Sequence, residues 1–528
     1  MTILNEARSI VITGFMGTGK STVARQVAKA LGRPLVDTDE LIMQRAGMSI
    51  ADIFAHQGEP AFRALEASVC AEFAAQTELV IATGGGMLVS PGNRALMLRT
   101  AIVVCLTAQP ETIETRLTGS VGRPLAGNWR ALYEARRPAY ASLPYHVATD
   151  ARPPEVAAAA VLDLIRGVLP VESPDGRYDI VIRRGLLRSL KAEAAPFGLN
   201  DRVAVVTNET VAPLLGEVVA DALPDAALLT IPDGEQHKTV ATVAGLYSQM
   251  VRAGLDRSAT VLALGGGVVG DTAGFAAATY MRGVRLVQAP TTLLAMVDSS
   301  VGGKVGVDLP EGKNLAGAFK QPAWVLIDPD ALRTLPMREI RCGMAEVIKH
   351  GLIADSGLLE QVRALPWAEQ GGPTQRPSAG LVDGIAGLLA RAVQVKIDVV
   401  QRDPFEHRER MHLNYGHTFG HAVEQVSGYA WPHGEAVGIG LIAAALLSER
   451  LGLCGPELVT EVREITRLVG LPQSLGPLDS GAIHAAMAAD KKQHAGKLRF
   501  VLLEAVGRPL IVDDAPPEDV LAVLGALQ

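Results

Sequence analysis

Short apolar runs alternate with longer amphipathic segments along the chain up to about residue 330. The runs cover residues 9–13, 79–83, 178–183, 202–207, 227–231 and 259–264, and most are followed by glycine or by a polar residue. Runs of this length are typical of buried strands, and strands that alternate with helical segments favour parallel sheets. The pattern therefore predicts an α/β fold class.

Helical patterns replace strand patterns after about Asp328. They are clearest over residues 381–400, 436–451 and 457–468. Nearer the N-terminus, a helix that begins at proline is predicted by residues 151–169, ARPPEVAAAAVLDLIRGVL. The next eight residues, PVESPDGR, have the composition of a linker. We expect a first domain of residues 1–172 with a parallel sheet and flanking helices. A second domain of residues 173–528 would combine an α/β part, 173–328, with a mainly α-helical part, 329–528.

Composition narrows the classes of function. A chain of 528 residues with 48% hydrophobic residues has enough apolar surface for two or three cores. The net charge of -7 argues against a general nucleic-acid binder. Four widely spaced cysteines, an N-terminus without a signal-peptide pattern and no run of eighteen apolar residues favour a reducing cytoplasm and no membrane association.

A phosphate-binding loop follows the first apolar run. GFMGTGKST is preceded by a strand pattern and followed by a helical pattern, a context in which this motif is specific. Its backbone amides can surround phosphate oxygens, Lys20 can reach the terminal phosphates and Ser21 can bind Mg²⁺. We predict that a nucleoside triphosphate, which is ATP if the family resemblance given below holds, binds at residues Gly14, Gly17, Thr18, Gly19, Lys20, Ser21 and Thr22.

The next blocks predict the acceptor of the phosphoryl group. Asp37 and Asp39 share one side of a strand end and could serve Mg²⁺ and a hydroxylated acceptor. Three successive glycines, which include Gly85 and Gly86, allow a ligand to approach the backbone. Each arginine taken singly is more often a surface residue, but together Arg63, Arg123 and Arg136 favour a small carboxylate, with Arg123 in a glycine-flanked stretch that predicts a mobile lid.

Histidines concentrate in LNYGHTFGHAVEQVSGYAWPHGEAVGIG. Three of the eleven histidines lie there, as His417, His421 and His433. The simplest interpretation is that His417 and His421, four residues apart on a helix, bind one ion, with His433 and Glu346 as further candidates. Such ligands suit catalytic zinc or cobalt. Packed or surface histidines are the alternative, and spacing does not decide which two bind.

A glycine-rich turn and a set of charged residues predict a second ligand site, in the second domain. Gly265-Gly266-Gly267-Val268 leads from a strand pattern toward Asp271, which suits a dinucleotide pyrophosphate in a Rossmann-like part, although a tight structural turn explains it equally well. Lysines in apolar surroundings are unfavourable unless they pair with anions, so a substrate with phosphate and carboxylate groups is predicted. The polar set is Arg282, Asp298, Lys304, Lys313, Asn314, Lys349, Lys396, Glu406, Arg410, Asn414 and Lys491.

Residues 8 to about 165 resemble the shikimate kinase family, through GFMGTGKST, VDTDELI, GMSIADIFAHQGEPAFRALE, ATGGGML, VGRPLAG and RRPAY in that order. The resemblance implies that Asp37 helps to hold Mg²⁺ and that Arg123 belongs to a lid over ATP, with Arg116 near the adenine. It also implies that shikimate binds at Asp39, Arg63, Gly85, Gly86 and Arg136.

Residues 178–528 resemble the 3-dehydroquinate synthase family, through PDGEQHKT, GGGVVGD, TYMRG, APTTLLAMVDSSVGGKVGVD, GKN, GMAEVIKHG, LNYGHTFGHA, HGEAVGIG and DKK. The resemblance implies that Glu346, His417 and His433 hold zinc or cobalt, which leaves His421 beside the substrate. It places NAD at Asp233, Glu235, Lys238, Gly267, Val268, Asp271, Thr291, Thr292, Asp298 and Lys313. It places the substrate at Lys304, Asn314, Lys349, Lys396, Arg410, Asn414, His421 and Lys491.

The implied reaction converts 3-deoxy-D-arabino-heptulosonate 7-phosphate into 3-dehydroquinate and phosphate. NAD would take a hydride and later return it, with His421 and Asn414 as proton relays and Glu406 among the catalytic residues. The family also implies a homodimer in which Arg282 reaches in from the partner. One departure is that Asp403-Pro404-Phe405-Glu406-His407-Arg408 replaces two members of the family's usual acidic motif. Alternatives are another sugar-phosphate cyclase, a metal- and NAD-dependent polyol dehydrogenase, and a regulatory ATP-binding module in place of the kinase.

Overall fold

The computed structural model describes residues 8–117, 129–143, 145–150, 152–491, 498–513 and 515–528, without the side chains of 488–491. The chain forms two compact units, residues 1–168 and 169–528. The first unit contains five strands and seven helices among its described residues. They are β1 (Ser9–Gly14), α1 (Lys20–Leu31), β2 (Leu35–Asp37), α2 (Thr38–Ala46), α3 (Ile50–Ala74), β3 (Val80–Ala82), α4 (Pro91–Thr100), β4 (Ala101–Thr107), α5 (Pro110–Leu117), α6 (Trp129–Ala141), β5 (Tyr145–Ala148) and α7 (Pro154–Arg166).

The sheet of the first unit is parallel throughout, in the order β2-β3-β1-β4-β5. Both of its faces are covered, because Ile10 and Ile12 pack on the side of α1 and α7 whereas Val11 packs on the opposite side with residues of α3. Burial on both faces explains why the strands appear as continuous apolar runs. The phosphate-binding loop and the ends of β2 and β3 therefore meet at one edge.

The second unit begins with a seven-stranded sheet in the order β6-β7-β14-β11-β10-β8-β9. Its strands and helices are β6 (Val168–Ser173), β7 (Gly176–Ile182), α8 (Leu186–Glu193), β8 (Val203–Asn208), α9 (Glu217–Ala222), β9 (Ala226–Ile231), α10 (Val240–Arg252), β10 (Thr260–Gly265), α11 (Gly267–Thr279), β11 (Arg285–Pro290) and β14 (Trp324–Ile327), with the separate hairpin β12 (Lys304–Leu309) and β13 (Gly312–Phe319) before β14. The five neighbouring pairs from β7 to β9 are parallel.

Two features of this sheet bear on the sequence predictions. The segment with linker composition forms the end of β6, a two-residue connection and the start of β7, so it belongs to the sheet and is not a free linker. After β8 the chain moves outward to β9, and after β10 it moves outward to β11 on the other side. This reversal between β8 and β10 is the position where doubly wound sheets bind dinucleotides.

The remaining elements are mainly helical, as predicted. They are α12 (Met337–Ile353), α13 (Ser356–Arg363), α14 (Ala379–Arg402), α15 (His417–Val426), α16 (His433–Arg450), α17 (Pro456–Val469), α18 (Ser480–Lys491) and α19 (Pro517–Gly525), with the antiparallel hairpin β15 (Arg499–Ala505) and β16 (Arg508–Asp513). The predicted helices at 381–400, 436–451 and 457–468 correspond to α14, α16 and α17, whereas the hairpin was not predicted. Among the described residues, no helix combines the length and apolar character needed to cross a membrane.

Candidate functional sites

The phosphate-binding loop leads from β1 into α1. Its glycines Gly14, Gly17 and Gly19 have φ of 137°, 82° and 87°, which side chains rarely allow. A Cβ atom on Gly14 would lie 2.2 Å from the carbonyl oxygen of Leu106. Lys20 Nζ donates to the carbonyl oxygen of Phe15 at 3.0 Å, which arches the lysine back over the loop.

The predicted magnesium ligands meet beside this loop. Ser21 Oγ donates to Asp37 Oδ2 at 2.8 Å. The other oxygen of Asp37 accepts the backbone N–H groups of Asp39 and Glu40 at 3.1 and 3.5 Å, which caps α2 and fixes the carboxylate. Thr18 is buried and donates to Phe15, whereas Thr22 is exposed at the start of α1.

The predicted acceptor residues surround the three glycines after β3. A Cβ atom on Gly84 would lie 2.2 Å from Asp39 Oδ1, and one on Gly86 would lie 2.2 Å from Arg63 Nη1. Arg136 Nη1 donates to the carbonyl oxygen of Gly85 at 2.9 Å. The missing side chains therefore let Asp39, Arg63 and Arg136 approach one stretch of backbone.

Two residues of this pocket were missed by sequence reasoning. Glu66, which is 1% exposed, pairs with Arg63 at 2.6 Å. Burial raises the pKa of Glu66, and Arg63 opposes that rise only in part. Tyr140 donates to the carbonyl oxygen of Gly85. The signal for Glu66 was its position three residues after Arg63 on a helix.

Arg116 and Arg123 complete the predicted set of the first unit. Arg116 donates to the carbonyl oxygens of Gly17 and Thr149, at 3.1 and 2.6 Å, and to Thr149 Oγ1 at 3.0 Å. It thus ties the phosphate-binding loop to the segment after β5. Arg123 and the predicted lid lie outside the described residues.

The predicted nucleotide residues cluster at the reversal of the second sheet. Gly267 and Val268 begin α11 directly after β10, and Asp271 lies one turn farther along the helix. Lys238 is buried and bridges Asp271 Oδ2 at 2.7 Å and Asn314 Oδ1 at 2.5 Å. Thr291 and Thr292 follow β11, and Asp233 follows β9, where it accepts hydrogen bonds from Asn208 and Thr210.

A group of potential metal ligands lies among the helices. Glu346 of α12 is fully buried, and its Oε1 lies 3.6 Å from His417 Nε2 and 3.4 Å from His433 Nε2. The other carboxylate oxygen, Oε2, contacts Lys349 Nζ. Burial alone would raise the pKa of Glu346, but Lys349 and the two histidines hold it well below its usual value.

The candidate metal groups differ from the simplest interpretation, in which His417 and His421 bind one ion. His417 and His421 do lie on α15 with ring centroids 5.3 Å apart. Three groups of described residues could hold a metal ion: Glu346-His417-His433, His421-Glu424-His433 and Asp298-Glu346-His350. None of these three contains both His417 and His421.

Two of the predicted substrate lysines, Lys396 and Lys349, are already paired with carboxylates. Lys396, which is 7% exposed, contacts Asp298 Oδ1 at 2.6 Å, and Lys349 contacts Glu346. Burial alone would raise the pKa of Asp298, but Lys396 and Lys349 hold it below its usual range. Asp298 thus lies beside the cations and Glu346. Lys491 ends α18, and its side chain lies outside the described part.

A loop after α14 holds a second group of these residues. Lys304 pairs with Glu406, whose other oxygen accepts from Asn414 Nδ2 at 3.0 Å. Arg410 donates to the carbonyl oxygens of Pro404 and Gly302. Asp403 accepts the backbone N–H groups of residues 407, 408 and 410. This cap fixes the loop that contains the departure at Pro404 and Arg408.

Backbone strain marks several predicted positions. Arg282, Asn314 and Glu406 have φ of 70°, 55° and 62°, in the left-handed region that residues other than glycine seldom adopt. Such conformations persist where surrounding contacts impose them, and they concentrate at functional sites. Arg282 is exposed, in the turn after α11.

Sequence reasoning also missed two buried groups of the second unit. Glu424, three residues after His421, lies 3.2 Å from His433 Nδ1 and 3.1 Å from Lys313 Nζ. His350 follows Lys349, and its Nδ1 lies 3.0 Å from the carbonyl oxygen of Ala392. Burial and Lys349 lower the pKa of His350 to about 4. The only signal for Glu424 was its place on the same helix face as His417 and His421.

Comparison with known proteins assigns both regions. Family models match at residues 16–166 (shikimate kinase), 228–342 (3-dehydroquinate synthase N-terminal) and 343–493 (3-dehydroquinate synthase C-terminal). A 3-dehydroquinate synthase from Synechocystis sp. is 46% identical over 363 residues, which are 68% of this chain and 99% of that protein.

Two solved structures are also similar. A 2-deoxy-scyllo-inosose synthase complexed with carbaglucose-6-phosphate, NAD⁺ and Co²⁺ has 26% identity and a TM-score of 0.60, over 68% of this chain and 100% of that one. A 2-epi-5-epi-valiolone synthase from Streptomyces hygroscopicus, with NAD⁺ and Zn²⁺ bound, has 31% identity and a TM-score of 0.60, over 66% of this chain and 96% of that one.

Proposed function

Because this chain belongs to the 3-dehydroquinate synthase family and has a shikimate kinase domain at its N-terminus, we propose which residues perform its two reactions. The protein is an enzyme of the shikimate pathway with both activities. Its substrates are shikimate and 3-deoxy-D-arabino-heptulosonate 7-phosphate. The residue roles below are proposals supported by the contacts already described.

In the kinase unit, the phosphate-binding loop would hold ATP and Lys20 would turn from Phe15 to the terminal phosphates. Ser21 and Asp37 would hold Mg²⁺, which neutralises charge on the phosphates; their oxygens, 2.8 Å apart, fit its preference for hard ligands. Asp39 would orient the acceptor hydroxyl of shikimate. Arg123 would close over ATP.

Arg63 and Arg136 would bind the carboxylate of shikimate. Both guanidinium groups lie beside the glycine stretch, Arg136 on Gly85 and Arg63 against Gly86. An arginine pair suits a carboxylate because each guanidinium can donate two parallel hydrogen bonds.

In the synthase unit, Glu346, His417 and His433 would hold the zinc or cobalt ion. A buried carboxylate that faces two imidazole nitrogens with one of its oxygens fits a divalent cation. The ion would polarise the substrate hydroxyl that is oxidised. His421 would lie on the substrate side of His417 and, with Asn414, would move protons.

NAD would bind at the reversal between β8 and β10. The N-terminus of α11 at Gly267 and Val268 suits the pyrophosphate, and Asp233, Glu235, Lys238 and Asp271 offer polar contacts at the same sheet edge. Thr291, Thr292 and Lys313 would complete the site. NAD would take up hydride and return it, so that none is consumed.

The substrate's phosphate and carboxylate would bind the cationic set. Lys396 and Lys349 would approach from the metal side, and Lys304 and Arg410 from the loop at Glu406. Asn314, Asp298 and Lys491 would complete the pocket. We propose that the enzyme works in the cytoplasm as a homodimer, in which the exposed Arg282 reaches the partner's site.

The observation that carries the synthase proposal is the convergence of Glu346, His417 and His433 beside paired lysines. We would measure phosphate release from the heptulosonate phosphate after chelation and again with zinc restored, while following absorbance of NADH. Metal-dependent phosphate release without NADH is expected. Accumulation of NADH without phosphate would indicate a polyol dehydrogenase.

The kinase proposal is tested separately. ADP formation should depend on shikimate and Mg²⁺, and Arg136→Lys should raise the KM for shikimate much more than the KM for ATP. ATP binding without shikimate-dependent turnover would indicate a regulatory module.

A further inference from the structure

Glu424 is a buried carboxylate to which the proposed mechanism gives no role. It lies on α15 and is 4% exposed. A carboxylate at such a position is unfavourable unless donors surround it. Each oxygen faces a donor: His433 Nδ1 lies 3.2 Å from Oε2 and Lys313 Nζ lies 3.1 Å from Oε1.

The two nitrogens of His433 face opposite groups. Nε2 points to Glu346, at 3.4 Å, whereas Nδ1 points to Glu424. A carboxylate that accepts the Nδ1–H bond leaves the lone pair of Nε2 available to a metal and also fixes the ring orientation. Glu424 therefore meets the geometric requirement for a group that positions His433.

Lys313 holds Glu424 from the other side. It lies on β13, and it also contacts Glu235 Oε1 at 3.5 Å and stacks over the ring of Tyr429 at 4.5 Å. The Lys313 side chain is 28% exposed and Glu235 is 39% exposed, so this outer contact is weak in water. The Lys313 contact with buried Glu424 is the stronger of its two ion pairs.

We propose that Glu424 is a positioning residue that fixes His433 as a metal ligand, and that Lys313 supports it by holding the second oxygen. This inference rests on the proposed metal centre. Loss of the Glu424 charge frees the ring of His433 to rotate and to choose either tautomer. Loss of Lys313 affects zinc binding only through Glu424, so its effect on zinc affinity is smaller and disappears when Glu424 is already replaced.

The test measures zinc affinity of the full-length, chelated protein by competition with a chromogenic chelator, together with the visible spectrum after Co²⁺ loading. Glu424→Gln should weaken zinc binding about 10–100-fold and alter the Co²⁺ spectrum. Lys313→Met should weaken it several-fold, with no further loss in the double variant. Glu424→Asp, which keeps the charge, should recover part of the affinity.

Glu435→Gln is the matched control. Glu435 is two residues after His433, but it contacts Arg338, with Oε1 2.6 Å from Nε. Removal of this carboxylate should change neither zinc affinity nor the Co²⁺ spectrum. Equal effects on zinc affinity at Glu424 and Glu435 would show that any negative charge near the site has the same effect, and they would overturn the proposal.

The outcomes separate this inference from the proposed function. If His433→Ala binds zinc as tightly as the unsubstituted protein, the metal centre itself is wrong. If His433→Ala loses zinc while Glu424→Gln keeps it with an unchanged Co²⁺ spectrum, the positioning role is wrong. If Glu424→Gln does not fold, Lys313→Met decides, and unchanged zinc affinity there overturns the proposal.

Discussion

The two sites of this protein handle anionic substrates with different arrangements of charge. In the kinase unit, Lys20 and Arg136 donate to backbone carbonyl oxygens, at Phe15 and Gly85. In the synthase unit, lysines face carboxylates far away in sequence, as in Lys396 with Asp298 and Lys304 with Glu406. Lys20 and Arg136 thus donate to neutral oxygens, whereas Lys396 and Lys304 are neutralised before any substrate arrives. Arg63 of the kinase unit follows the second arrangement, because it pairs with Glu66.

This difference has consequences for stability as well as for binding. A cation on a carbonyl oxygen can turn to a phosphate at little cost. A buried cation paired with a buried carboxylate leaves an uncompensated charge when either partner is lost. Replacement of Lys396 should therefore destabilise the synthase unit as well as inactivate it, whereas replacement of Lys20 should mainly affect turnover.

The largest expected effect is at the buried pair of Lys396 and Asp298. Lys396→Met should lower the free energy of unfolding of the synthase unit by about 3 kcal/mol, because it removes the ion-pair partner of Asp298 and leaves Lys349 as the remaining cation nearby. Urea unfolding followed by tryptophan fluorescence reports this, since Trp324, Trp367 and Trp431 lie in that unit. The control is Lys304→Met, whose side chain is 49% exposed and whose loss should cost about 0–1 kcal/mol. Equal losses would contradict the distinction between buried and exposed pairs.

Lys20 tests the other side of the comparison. Lys20→Met should lower the kinase kcat by about 10²–10³-fold, since the lysine would stabilise charge on the transferred phosphoryl group. The free energy of unfolding should change little, because the hydrogen bond from Lys20 to Phe15 is only partly buried. Phosphate release by the synthase unit in the same sample is the internal control. A large loss of stability would show that Lys20 has a structural role.

The two sites also differ in how far the sequence predicts them. The phosphate-binding loop is contiguous, so its strand, glycines, lysine and serine were predicted with their order and surroundings. The metal group joins Glu346, His417 and His433 from three segments, and spacing along α15 alone favoured the pair of His417 and His421. The family resemblance, not helix geometry, pointed to the group that the fold brings together.

Partners were harder to predict than site residues. Nothing in the local sequence pairs Lys396 with Asp298, 98 residues away, or Lys313 with Glu424, 111 residues away. Such contacts depend on how the helices pack over the sheet. The hairpin of β6 and β7 shows the same limit, because proline, serine and glycine composition indicated a linker where the sheet continues.

Asp403 provides a test of intermediate size. Asp403→Asn should lower the free energy of unfolding by about 1–2 kcal/mol, because a neutral amide accepts hydrogen bonds from the three backbone N–H groups less strongly than a carboxylate does. Burial alone would raise the pKa of Asp403, but these donors hold it below its usual value. The stabilisation is therefore complete above about pH 4 and is lost as the pH falls through the lowered pKa, so the variant and the unsubstituted protein should converge in acid.

The measurement is urea unfolding at several pH values, with Asp256→Asn as the control. Asp256 accepts from the N–H and hydroxyl of Ser258 on the surface, and its loss should change stability less. A further expectation is a raised KM for the heptulosonate phosphate in Asp403→Asn alone, because the loop carries Glu406 and Arg410. An unchanged KM would show that the departure at Pro404 and Arg408 holds the loop without the cap.

The smallest effect is expected at Arg116 of the kinase unit, which links two segments of the backbone. Its guanidinium joins Gly17 to Thr149 through three hydrogen bonds to neutral oxygens. Arg116→Lys keeps the charge but loses the planar set of guanidinium donors. It should therefore lower the free energy of unfolding by about 1 kcal/mol and raise the KM for ATP a few-fold. Arg137→Lys is the control, because Arg137 contacts only the exposed Glu134 among the contacts described for it. If Arg116 instead binds the nucleotide directly, Arg116→Lys should raise the KM for ATP by much more than a few-fold, without a larger loss of the free energy of unfolding.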